Sequence, residues 1–146
     1  MKRIFIDLIK SDLKSGLYNF GILFFRVAIA SELIYVHGLK KIGIGVAQPE
    51  VIPNPIGLPD ALNNFVAIAA NVYLPFLIII GLFTRVAALP ALAVTATGYF
   101  LMHFNDDPMV RDMPFMYATS LLLIVLLGGG RYSLDNLIYN KLNKDA

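Results

Sequence analysis

Apolar residues gather into four long blocks, separated by short polar or proline-rich breaks. The first block covers about 17–39. As a helix rising about 1.5 Å per residue, it reaches slightly beyond a hydrocarbon core of roughly 30 Å. The second covers about 61–83 and opens with Pro59-Asp60, a pairing suited to a helix N-terminus. The third covers about 86–104. The fourth, about 113–128, is short against the roughly 20 residues a span needs, so snorkelling side chains or local thinning are expected at its ends. Gly128 to Gly130 supply a stop. Residues 1–16 mix charges with Phe5, Ile9 and Leu13 at helical spacing, which predicts a short amphipathic helix lying in the membrane surface. Residues 139–146 read as a polar tail. The pattern predicts an all-α, integral membrane four-helix bundle over 17–138.

Composition sharpens this. The chain is 58% hydrophobic, against about 45–50% in ordinary soluble domains. A net charge of +2 gives no footprint for nucleic acid. With no cysteine, the chain itself cannot perform thiol–disulfide chemistry or ligate an iron–sulfur cluster through Cys. What matters is where the cations lie. With four spans, one side collects Lys2, Arg3, Lys10, Lys14, Arg85, Arg131, Lys141 and Lys144; the other collects Lys40, Lys41 and Arg111. The positive-inside rule places both termini in the cytoplasm and the protein in the cytoplasmic (inner) membrane. The loop "KKIGIGVAQPEVIPNPIGLPD" then lies outside, either as a compact connector or as a lid over the outer mouth of the bundle.

Ionisable groups within lipid are costly and generally face the bundle interior, so they are the first candidates for function. "RVAIASELIYVHGLKK" carries Arg26, Glu32 and His37. At about 100° per residue, Arg26 and His37 return to within about 20° of one face, while Glu32 points away. In the second span Asn64 and Asn71 share a face, and Pro75 deprives the Asn71 carbonyl of its helical partner. In the third, Thr95, Tyr99 and His103 form a polar stripe. Thr119 and Ser120 in the fourth are expected to bond back to their own helix. Two histidines with neither a third ligand nor a spacing signature make haem a weak reading and assign no metal. The favoured ligand site joins Arg26, Glu32, His37, Asn71, Tyr99 and His103 in an outer-half pocket. There a quinone-like carbonyl compound accepts hydrogen bonds while aliphatic walls hold its ring. At the opposite face, Arg85 is expected to snorkel, Ser133 to cap a short interfacial turn, and Asp135 to pair with Arg85 or Arg131 as a structural staple. No phosphate loop, hydrolase elbow or His-Glu metal motif is present in the sequence.

"RVAIASELIYVHGLKKIG", "GLFTRVAAL" and "GGGRYSLDNLI", in this order and at these separations, resemble the DoxX-like family of small four-helix membrane proteins. The resemblance covers about 20–138 and implies a four-helix bundle in the cytoplasmic membrane. Some members of that family are linked to thiosulfate:quinone oxidoreductase or terminal-oxidase assemblies, others to oxidoreductase complexes of oxidative stress. Carried over, the family's Arg and His correspond to Arg26 and His37. Its closing motif corresponds to Arg131, Tyr132, Ser133, Leu134 and Asp135. Members commonly carry a Glu where this chain has Asn71, so Glu32 becomes the candidate proton-handling group here. The resemblance implies a quinone-interacting subunit drawing electrons from a soluble or membrane redox partner. The alternatives are a non-catalytic anchor or assembly subunit and a small-molecule or lipid-binding protein; each contacts membrane lipid and is compatible with a homo-oligomer.

Overall fold

In the computed structural model, residues 16–144 are described; the expected amphipathic leader lies outside them except for Gly16. Four helices are long and apolar enough to cross a membrane: α1 (Gly16–Ile42), α2 (Asp60–Ile80), α3 (Thr84–Met102) and α4 (Pro108–Leu127). A fifth, α5 (Leu134–Lys144), continues past the expected end of the bundle at 138. No strand occurs among the described residues. The helices form a ring in which α1 packs on α2, α2 on α3, and α3 on α4; α1 and α4 close it along the thinnest seam. One end of the bundle carries the start of α1, the α2–α3 turn and α5; it is the terminal end. The opposite, loop end carries residues 43–59 and 103–107.

The spans follow from the apolar blocks, with one informative difference. α4 begins at Pro108, earlier than the hydropathy alone suggests, because Asp107 accepts a hydrogen bond from the Met109 N–H at 2.9 Å and Pro108 takes the first helical position. Arg111 and Asp112 are therefore helical, and the 20 residues of α4 meet the length a span needs.

The core is narrow and built from small residues. Ala30, Leu33, Ile78, Ala87, Ala88, Ala91, Leu121 and Ile124 form its centre. Alanine lets backbones approach closely, which matters where lipid provides no hydrophobic drive between helices. Large apolar side chains such as Phe24, Phe65, Phe76 and Leu126 remain exposed around the outside, as a lipid-facing surface requires.

Three of the four spans contain a π turn, in the loop-end half of α1 and α3 and at the middle of α2: Leu33–Gly38, Gly98–Met102 and Ala69–Tyr73. Each is closed by an i→i+5 bond, with Leu39 N–H donating to Ile34, Leu74 N–H to Ala69, and His103 N–H to Gly98. In α1 the buried face runs Asn19, Ile22, Arg26, Ala30, Leu33, in steps of three and four. An ideal helix would bring His37 next. The π turn inserts one residue, and Gly38 takes the buried place instead. In α2 the wider turn accommodates Pro75, which would otherwise press on the Asn71 carbonyl. Gly38 packs directly against that carbonyl; a Cβ there would collide with the Asn71 oxygen and come within 3.0 Å of Val72.

Gly38→Ala is therefore expected to destabilise the bundle by about 1–3 kcal/mol, the usual range for overpacking. Unfolding in mild detergent should show it, whereas Gly21→Ala, on an open surface, should have little effect.

Candidate functional site

The terminal end holds the most polar part of the interior. α2 ends in a reversal at Gly81, whose φ of 74° suits glycine: Gly81 N–H donates to Leu77 and Ile78, and Leu82 N–H donates to Leu77. The carbonyls of Ile78 and Ile79 are met by Arg26, whose Nη1 donates to both. Arg26 Nη2 donates to the Tyr132 carbonyl at 2.6 Å. The side chain is 1% exposed, so this guanidinium lies inside the bundle against the negative end of the α2 dipole.

A carboxylate answers it on the other side of the same turn. Asp135, in the first turn of α5, accepts from Phe83 N–H at 2.7 Å, Thr84 N–H at 2.9 Å and Thr84 Oγ1 at 2.8 Å. It thereby caps α3, while its own N–H donates to the Gly81 carbonyl at 2.9 Å. Its charge also acts on Arg26. The sequence reading expected Asp135 to pair with Arg85 or Arg131; the structure engages it with the start of α3 instead. Arg85 donates to the Leu126 carbonyl at 3.2 Å. Arg131 is exposed, and its N–H donates to buried Asn19 at 3.0 Å. Tyr132 is half exposed and contributes its carbonyl. Ser133 accepts from Asn136 N–H at 3.2 Å, capping α5, and donates to Gly130 at 2.6 Å. A Cβ on Gly81 would meet both Ser133 and Arg26 Nη1, so only glycine allows the segments to close this tightly.

The expected ligand residues do not converge on one pocket. Arg26 belongs to the terminal end, with its Nη atoms on backbone carbonyls. Asn71 is buried, but its Nδ2 donates to the Ala67 carbonyl of its own helix at 2.7 Å. Asn63, rather than Asn64, is buried, turned toward residues 43–59, and donates to the Pro53 carbonyl. Tyr99 stands at the α3–α4 seam against Phe115, with ring centres 5.4 Å apart. A small cavity of about 120 Å³ lies there, lined by Tyr99, Pro108, Arg111, Asp112 and Phe115. His103 pairs with Asp106 at 2.8 Å on the exposed loop end.

His37 and Glu32 fall on a different seam. The π turn aims the His37 ring toward α4, where it meets Tyr117 edge to face at a centroid distance of 5.2 Å. His37 Nε2 is buried and has no hydrogen-bond partner among the described residues. Glu32 is exposed on the lipid side of α1, close enough for its charge to act on Tyr117. Tyr117 escaped the sequence reading; its signal was a lone phenol in the apolar run of "FMYATS".

Loop 43–59 folds over the outside of α2. A cavity of about 520 Å³ opens between them, lined in part by Lys41, Glu50, Asp60, Asn63 and Asn64. Arg26, Glu32, His37, Asn71 and His103 line neither this cavity nor the smaller one. The loop is pinned by Glu50, which binds Lys40 at 2.9 Å and Lys41 at 3.0 Å.

The DoxX family profile matches residues 21–104, more than half of the chain. The chain belongs to the DoxX family. The matched stretch contains Arg26 and the Gly81–Thr84 turn; the structure joins both at the terminal end to the Gly130–Asp135 closure, which lies beyond the match. An uncharacterized protein of Haemophilus influenzae is 33% identical over 91 residues, covering 59% of this chain and 60% of that protein. No solved structure matches the chain. Family and helices together make this DoxX protein a multi-pass membrane protein.

Two outcomes follow. Asp135→Ala leaves two amide donors and the Thr84 hydroxyl without an acceptor, at a cost of roughly 1–3 kcal/mol, and thermal unfolding in detergent should fall accordingly. The second concerns the loop. Burial pushes the Glu50 carboxyl up, but Lys40 and Lys41 overcome this and hold it below its ordinary value of 4.5. A lowered carboxylate value stabilises at pH above 4.5, and that contribution is lost as pH falls through the lowered value. Protection factors of the 43–59 amides, corrected for the intrinsic slowing of exchange in acid, should therefore fall with acidification below that point, and Glu50→Gln should flatten the dependence.

Proposed function

We propose that this DoxX protein is a subunit of a membrane oxidoreductase system that seats a quinone-like carbonyl compound in the α1–α4 seam. The observation that carries the reading is the buried, unpartnered Nε2 of His37, aimed by a π turn toward Tyr117. A buried polar atom without a partner is costly, and a ligand carbonyl would remove the cost when Nε2 carries the proton. The Tyr117 hydroxyl would supply a second donor. The seam is the thinnest of the four and faces lipid, the phase from which such a compound arrives. Glu32, on the lipid side of the same seam, would supply or take protons. Reduction of a quinone takes two electrons and two protons; the electrons would come from a partner subunit. The distribution of cations supports a cytoplasmic terminal end in the inner membrane, which puts the seam site in the outer half.

A second reading is a non-catalytic anchor or assembly subunit. What favours it is Arg26: this buried cation is engaged with backbone carbonyls, as a scaffold residue would be.

Titration of a short-chain quinone into nanodisc-held protein separates the two. Wild type should bind, and His37→Ala should weaken binding by about tenfold, the value of a buried hydrogen bond of about 1.4 kcal/mol. Tyr117→Phe should weaken it severalfold. His103→Ala, which alters an exposed pair, should leave it unchanged. Absence of binding to wild type, or equal binding by His37→Ala, would leave the anchor reading standing.

A further inference from the structure

We propose that α5 is an interfacial helix that lies in the membrane surface and binds anionic phospholipid headgroups. Its first turn is fixed where the spans end, because Asp135 caps α3 and donates to Gly81 at the end of α2. From that point the helix presents apolar side chains that the described residues leave partly uncovered: Leu137 is 63% exposed and Leu134 39%. On a helical wheel, Leu134, Leu137 and Ile138 form one arc, with Lys141 inside it and Lys144 at its edge. An arc of leucine and isoleucine with lysines along it is the composition of a helix whose apolar side enters the acyl boundary while its amines rise to the phosphates.

The charge of this end selects the headgroup. Arg131, Lys141 and Lys144 are exposed there, and Asp135 is the one carboxylate at this end among the described residues. Asp135 is itself buried and engaged with α3. Among the described residues no carboxylate at this end is free to pair with these cations, and an anionic leaflet supplies the counter-charge. The occupant is the bilayer that already surrounds the spans, so the apolar surface of α5 is continuous with the lipid-facing surface of the bundle. This placement is independent of any ligand in the α1–α4 seam, which lies at the loop-end half.

Hydrogen exchange of the full chain tests it, read at the amides of 136–144, in nanodiscs of phosphatidylcholine alone and with added phosphatidylglycerol. Exchange there should be about 25-fold slower in the anionic discs, given a contribution near fivefold from each of Lys141 and Lys144 at an anionic surface. K141Q/K144Q should abolish the difference, and Leu137→Asp should accelerate exchange in both discs. All three positions are exposed, so the bundle should persist, as unchanged protection in α2 and α3 would verify. Equal exchange in the two lipid compositions would overturn the proposal, as would slow exchange in anionic discs that survives K141Q/K144Q.

Discussion

A guanidinium held inside a membrane protein must find acceptors, and Arg26 finds them at the end of α2. The last carbonyls of a helix have no intrahelical donors, so the C-terminus of α2 offers oxygen atoms and the negative end of a dipole in one place. Asp135 does the converse, giving a carboxylate to the unpaired N–H groups at the start of α3. The α2–α3 turn is thus gripped by a cation from α1 and an anion from α5. Because Arg26 also reaches Tyr132, the same interaction holds the closing segment against the bundle. Each charge is costly in lipid by itself; each is offset by backbone groups that would also be costly unpaired. The arrangement brings together segments that lie far apart in the sequence.

With that end fixed, irregularity concentrates at the other. Two π turns sit in the loop-end halves of α1 and α3 and a third at the middle of α2, and each displaces the residues that follow it around the helix. A π turn gives up regular packing and re-aims side chains, a feature frequent at functional positions. Here it exchanges His37 for Gly38 on the inward face. Gly38 allows α1 and α2 to touch at Asn71, and His37 is delivered to the seam with α4. Rigidity and adaptability are thus divided between the two halves of the bundle.

Much of this was legible in the sequence. Apolar block lengths gave the four spans, because backbone satisfaction in lipid leaves helices few alternatives. Gly128 to Gly130 and Ser133 marked the break before α5, and Pro75 marked the irregular turn in α2. The face shared by Arg26 and His37 was misread, since a constant 100° per residue fails once a π turn intervenes. The turn in α1 has no proline to announce it; the close approach of Gly38 to α2 becomes visible only when both helices are in place. Asp135 was expected to seek Arg85 or Arg131 because charge suggests charge, whereas the unpaired amides of α3 were nearer and better placed. Tyr117 could not be chosen from sequence, because its relevance lies in the ring it meets. Glu32 was correctly separated from the Arg26 face, but its lipid-side position beside α4 required the closed ring of helices.

The division between a scaffold end and an adaptable end is tested most directly by Arg26→Lys, with unfolding temperature and quinone affinity measured on the same nanodisc preparation. Lysine keeps the charge but cannot span three carbonyls with a rigid fork. The account predicts unfolding several degrees lower, faster exchange at Gly81 to Thr84, and affinity within twofold of wild type while the protein is folded. Unchanged stability with lost affinity would contradict it and would place Arg26 at the ligand.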